Sequence, residues 1–117
     1  MVSGRPSPTT RPPAGAEARL ARVGIPTRFA LHQNQPNPFS IRTTLRFDLP
    51  RAERVTLDLW DVQGRRVARL ANGVFPAGYH SIEWDRRSGA GLAAPGVYVY
   101  RLVAGSFRDR KKMVLLP

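Results

Sequence analysis

Ten side chains in this sequence could serve as acid, base or metal ligand near neutral pH: two histidines, His32 and His80, and eight carboxylates. A zinc or transition-metal centre wants three or four convergent ligands, which these scattered groups do not offer. His80 shares a strand face with Ile82 and Trp84, so a packed or rim role is expected. Among the acids, Asp58, Asp61, Glu83 and Asp85 are the candidates for paired carboxylate chemistry, which requires two groups held across a cleft. Asp61 is better explained by Asp61-Val62-Gln63-Gly64, with Asp first and Gly fourth in a type I turn. Asp58 alternates outward on its strand and Asp85 enters a loop, so surface ion pairs with neighbouring arginines are expected. No serine lies in a nucleophile elbow, and Gly89-Ala90-Gly91 lacks the strand-then-helix setting of a phosphate loop. The chain has no cysteine, which excludes disulfides, thiolate zinc and a cysteine nucleophile. A non-enzyme is expected, with no cofactor, metal or small-molecule substrate.

Two further groups of residues invite a binding role. Trp60, Trp84, Tyr98, Tyr100 and Phe107 could build a stacking platform. Aromatics in a small β-domain more often supply its core. Trp60, which alternates with Leu57 and Leu59, is the one expected at the surface. The formal charge is +11, and of 19 basic residues only Lys111 and Lys112 are lysines. Arginine is spread along the whole chain, whereas a nucleic-acid footprint needs a cluster or stripe, so nucleic acid is not the expected partner. The run Arg108-Asp109-Arg110-Lys111-Lys112, next to an apolar terminus, suits either protection of a sheet edge or recognition by a receptor.

These residues sit in a chain of short alternating segments. Residues 1–27 read as a Pro- and Arg-rich disordered linker, since Pro6, Pro8, Pro12 and Pro13 among Ser, Thr and Gly cannot bury a core. From 28 to 117 the pattern is that of a single folded module. Ile41, Thr43, Leu45, Phe47 and Leu49 alternate with polar residues, the period of a half-buried strand, and Pro50 ends the run. Val55, Leu57 and Leu59 repeat the pattern. The Asp61–Gly64 turn then returns Arg65–Leu70 as the second arm of a hairpin, and Asn72-Gly73 and Phe75–Gly78 read as turns. His80, Ile82 and Trp84 mark a further strand, and Asp85–Pro95 a polar loop. In Gly96–Val103, Tyr98, Tyr100 and Leu102 share one face, and Val97, Val99 and Val103 the other. A strand apolar on both faces belongs in the middle of a sheet. Phe107–Leu116 is the last strand. Some seven strands without crossover helices pair antiparallel, which predicts an all-β, immunoglobulin-like antiparallel sandwich. No apolar run approaches the length of a membrane span, and Met1–Gly15 lacks the apolar core of a signal peptide.

Several of these runs together resemble a known module. They are Gln33-Asn34-Gln35-Pro36-Asn37-Pro38-Phe39, Thr43–Pro50, Val55–Val67 with its Asp61-Val62-Gln63-Gly64 turn, Pro76–His80, Trp84-Asp85, Pro95–Leu102 and Lys111–Leu116. In this order they are similar to the C-terminal sorting domains of bacterial type IX secretion cargo and to the immunoglobulin-like domain of the flagellar hook-capping protein. The resemblance covers residues 31 to 117. The loop Asp85–Gly91 departs from it, lacking the Gly that often follows Trp-Asp and the second Asp beyond.

The resemblance implies a non-catalytic module whose last strand is read by an outer-membrane translocation machine. Lys111, Lys112, Met113, Val114, Leu115 and Leu116 would then form the sorting signal. The implied partner is a secretion-machinery or cell-envelope protein, and the implied destination is the exterior or the cell surface. Such cargo carries a signal peptide and a passenger domain, so this chain is expected to be part of a longer precursor. The alternative is a structural immunoglobulin-like spacer in a surface or flagellar assembly. A basic nucleic-acid-binding barrel ranks behind both.

Overall fold

The computed structural model describes residues 24–89 and 91–117. The linker expected over 1–27 falls outside the described residues up to position 23, and 24–27 form no strand. From there the chain forms β1 (Ala30–Leu31), β2 (Thr43–Leu49), β3 (Glu53–Asp61), β4 (Arg66–Phe75), β5 (Gly78–Trp84), β6 (Arg87–Ser88), β7 (Gly91–Leu92), β8 (Gly96–Ala104) and β9 (Phe107–Leu115). No helix occurs among the described residues.

Every strand pairing within the sheets is antiparallel, and seven of the strands build two facing sheets, β1-β2-β5 and β4-β3-β8-β9. The sequence expectation of an all-β immunoglobulin-like sandwich is met. Its fourth strand pairs with the third, rather than joining the sheet of the first, second and fifth as in constant-type immunoglobulin domains. β6 and β7 form a small separate ladder inside the stretch expected to be an irregular loop.

The alternation of β2, β3 and β8 translates directly into a core. Leu45, Phe47 and Leu49 from one sheet meet Val55, Leu57, Leu59, Tyr100, Leu102 and Ala104 from the other, all with no measurable exposure. Side chains of a strand point alternately to its two faces, so each apolar set lands on the inner face together. β8 lies between β3 and β9, the central place expected of a strand apolar on both sides. Aromatic contacts join the layers: Phe47 of β2 lies edge-on to Phe75 of β4 at 5.7 Å.

Three local expectations are corrected. Ile41 precedes β2 and is 66% exposed instead of opening the buried stripe. Asn72 and Gly73 do not turn the chain; they continue β4, paired with Thr56 and Val55. β3 begins at Glu53, and the extended β4 supplies the ladder partners of its first residues on that side, Phe75 for Glu53 and Val74 for Arg54. Register shifts opposite Leu57/Asp58 and Leu59/Trp60 leave extra residues on β4 at Leu70 and Val67, and these bulges break the alternation that would have revealed its length. Finally, the last strand ends at Leu115, one residue before the expected Leu116.

The turns follow the chain's chemistry. Asp61 accepts the N–H groups of Gln63 and Arg65 on Oδ1, at 2.9 and 3.0 Å, and Gly64 closes the turn with φ of 85°. The N–H of Arg65 is the main cause that holds the Asp61 carboxyl below its ordinary value. Gly105 starts the two-residue turn between β8 and β9 with φ of 59°, and a Cβ there would meet the Glu53 carboxylate at 2.6 Å.

Leu57→Ala should lower unfolding free energy by about 2–5 kcal/mol. Val62→Ala, at a side chain 74% exposed on the turn, should change it by less than about 0.5 kcal/mol. Paired denaturant titrations check both.

Candidate functional site

The terminal strand that the sequence singles out is an edge strand: β9 pairs with β8 alone in its sheet. Its side chains alternate across the sheet. Met113 and Leu115 point inward and are 0% and 1% exposed. Lys111 lies on the same side, half-buried, while Lys112 and Val114 project from the outer face. Leu116 lies past the strand and is 42% exposed. Of the six residues of the expected signal, two are therefore core residues. What a partner can touch is Lys112, Val114, Leu116 and part of Lys111.

The C-terminal end of the β9 backbone edge is spoken for. Phe39 donates its N–H to the Val114 carbonyl at 3.0 Å and accepts the N–H of Leu116 at 2.8 Å, forming a parallel bridge with Leu115. The Val114 N–H donates to Asn37 Oδ1 at 2.9 Å, and the Lys112 carbonyl accepts from Gln33 Nε2 at 2.6 Å. Backbone groups of an edge strand point alternately toward and away from the sheet. The outward groups at Val114 are thus fully met by residues 33–39, and those at 112 are half met. Phe39 then drops into the core, 2% exposed and edge-on to Trp84 at 5.8 Å.

A buried polar knot anchors this clamp. The Tyr100 hydroxyl donates to the His32 carbonyl at 2.6 Å and accepts the Asn34 N–H at 2.8 Å. Asn34, 1% exposed, donates through Nδ2 to Thr43 Oγ1 at 2.9 Å and to the Pro36 carbonyl at 3.2 Å. Its Oδ1 accepts from Gln33 at 2.7 Å. Thr43 Oγ1 completes the ring by donating to Pro36 at 2.8 Å. The peptide bonds preceding Pro36 and Pro38 are cis. The segment Gln33–Phe39, noticed in the sequence only through its resemblance, is the device that ties β2, β8 and β9 together. No periodicity could have shown this, because its side chains act one by one.

The remaining candidates separate cleanly. His80 stacks on Phe47 at 5.2 Å and bonds the Pro76 carbonyl at 2.7 Å, a packed histidine as expected. His32 pairs with Asp48 at 2.8 Å, 39% and 12% exposed at their side chains. Asp58 lies on the outward face but is covered: Arg69 clasps both its oxygens at 2.8 and 3.1 Å, leaving it 6% exposed. Asp85 pairs with Arg87 at 3.1 Å, and among the described residues no three histidine or carboxylate groups come together. Trp84, Tyr98 and Tyr100 are buried in the core, while Phe107, half-buried, stacks on Phe29 at 5.3 Å. Trp60 is half-buried on the outer face of the four-stranded sheet, with Arg101 over its ring at 5.6 Å. Part of the basic run of β9 meets a β8 arginine on that same face. Arg101 and Arg110 stand directly opposite each other, flanked by Arg108 and Lys112. The basic run noted in the sequence thus gains Arg101 as a neighbour through the register of β8 on β9.

No protein-family model matches this chain, and no curated protein matches it.

Burial pushes the Tyr100 phenol from its ordinary value of 10.0 up to about 12. A raised pKa favours the neutral folded form, so this contribution is full below pH 10.0 and fades as pH climbs toward about 12. Tyr100→Phe should cost about 1–3 kcal/mol at neutral pH by leaving the Asn34 N–H and His32 carbonyl unmet. It should also flatten the alkaline decline in stability relative to the parent. Denaturation of both proteins from neutral to alkaline pH measures the two effects.

Proposed function

We infer that this chain is the non-catalytic C-terminal sorting or anchoring module of an exported bacterial protein, resembling those of type IX secretion cargo. The observation that carries the reading is a sandwich whose last strand, β9, lies at a sheet edge, basic and partly solvent-facing. The role is passive: the core fixes the strand, and a secretion or cell-envelope protein docks on it. Because Asn37 and Phe39 hold the backbone from Val114 to Leu116, docking on the folded module uses the exposed side chains of Lys112 and Leu116 and the half-buried Val114 between them. The docked protein is delivered to the exterior or the cell surface.

Deleting Lys111–Pro117 would remove Met113 and Leu115 from the core and confound recognition with unfolding. The informative variant is Lys112→Glu with Leu116→Asp, both at exposed side chains. In a strain with a type IX system, a passenger bearing a signal peptide and fused to the full chain should reach the medium or surface. The double variant should abolish that export while leaving stability within about 0.5 kcal/mol of the parent. Undiminished export of the folded double variant would defeat the sorting role and leave the structural spacer as the reading.

A further inference from the structure

The outer face of the sheet β4-β3-β8-β9 carries a cluster of charge of which the export reading uses only Lys112. Arg101 of β8 stands directly opposite Arg110 of β9, with Val103 opposite Arg108 and Val99 opposite Lys112 on either side. Like charges directly across a ladder repel. The nearest acid on this face, Asp58, lies opposite Arg101 but is clasped by Arg69 through both oxygens. The Asp109 carboxylate accepts its neighbour Arg110's backbone N–H at 2.8 Å. Among the described residues, no carboxylate pairs with Arg101, Arg108, Arg110 or Lys112. A face with this much unanswered charge is complementary to a polyanion.

Its geometry narrows the class. Arg108, Arg110 and Lys112 project from one strand at every second residue, so they line up about 7 Å apart. That spacing suits successive phosphates of an extended single strand. Two strands inward, about 10 Å away, lies Trp60, with the Arg101 guanidinium over its ring at 5.6 Å. The indole N–H has no hydrogen-bond partner. Beside it is a shallow depression of 270 Å³ lined by Trp60, Gly64, Val99, Arg101 and Arg110. Bases stack on aromatic rings and on guanidinium planes, while cations track the backbone. A flat strand face with no projecting helix is poorly shaped to enter a duplex groove. A lipid surface would use the cations but not the ring slot.

We propose that this face is a binding site for single-stranded nucleic acid, with Arg108, Arg110 and Lys112 on phosphates and Trp60 with Arg101 receiving a base. The site shares Lys112 with the export reading, but its centre, Arg101 and Trp60, lies off the terminal strand, so variants at those two residues test it separately.

The test is fluorescence anisotropy of the full chain with labelled oligo-dT and oligo-U across a salt series. Binding at low salt should weaken steeply, with a log–log slope of about −2 to −3 for three or four phosphates. Arg101→Gln with Arg110→Gln should reduce affinity at least about tenfold and flatten that slope. Trp60→Leu should weaken binding about tenfold with the slope kept, and Trp60→Phe should restore most of it. Melting curves confirm that each variant is folded. Dextran sulfate and anionic phospholipid vesicles serve as competitors and as direct ligands. No oligonucleotide binding at low salt would overturn the proposal. So would equal binding of the sulfated polymer or vesicles with no effect of Trp60→Leu, which would mark the face as a general polyanion or lipid surface.

Discussion

The last strand of this protein has one neighbour in its sheet, and everything built on that strand depends on what happens along its other side. An edge strand leaves every second N–H and C=O without a ladder partner, open to water or to an unwanted strand. Here Asn37 and Phe39 take up the groups at Val114 and Leu116, and Gln33 takes the carbonyl at Lys112. Because the same short segment also sinks Phe39 into the core and binds Tyr100 through Asn34, loosening any one of these contacts loosens the rest. Such a polar knot is worth having only when fully met, since a half-satisfied buried network costs more than an apolar one. The side-chain amide of Asn34 has both its nitrogen and its oxygen engaged.

This arrangement divides the terminal strand by function. Met113 and Leu115 belong to the core, so they specify where the strand sits and are closed to a partner while the module stays folded. Side chains one residue away from them reach solvent on the opposite face. A receptor that recognises the folded module therefore reads alternate residues. Strand addition along the Val114–Leu116 stretch would first require displacement of the clamp.

Charge is partitioned in the same way. Asp61 is consumed by its turn, and Asp58, the acid of β3 on the outer face, is committed to Arg69. What remains there is a row of cations on the β8–β9 hairpin beside a tryptophan of β3, some 40 residues earlier in the chain. Arg101, Arg108, Arg110 and Lys112 thus put four of the chain's 19 basic residues on one small patch, and only the place of Arg101 in it depends on register.

Much of the framework was legible from residue order alone. Period-two alternation in Val55-Thr56-Leu57-Asp58-Leu59 identifies both the strand and its buried face, because a one-residue slip would turn every leucine to water. The two-sided apolar run of Gly96–Val103 announces a central strand, and Asp61 with Gly64 announces a tight turn, because these signals act locally. The extent of β4 was not legible: Asn72-Gly73 favours a turn in isolation, and only the open ladder groups of β3 pull it straight. Nor were the clamp of 33–39, the burial of Asp58 or the Arg101–Arg110 juxtaposition. Each depends on which residue faces which across a ladder or between sheets. That choice is made by packing two layers together, where one residue of register moves a charge from one neighbour to another.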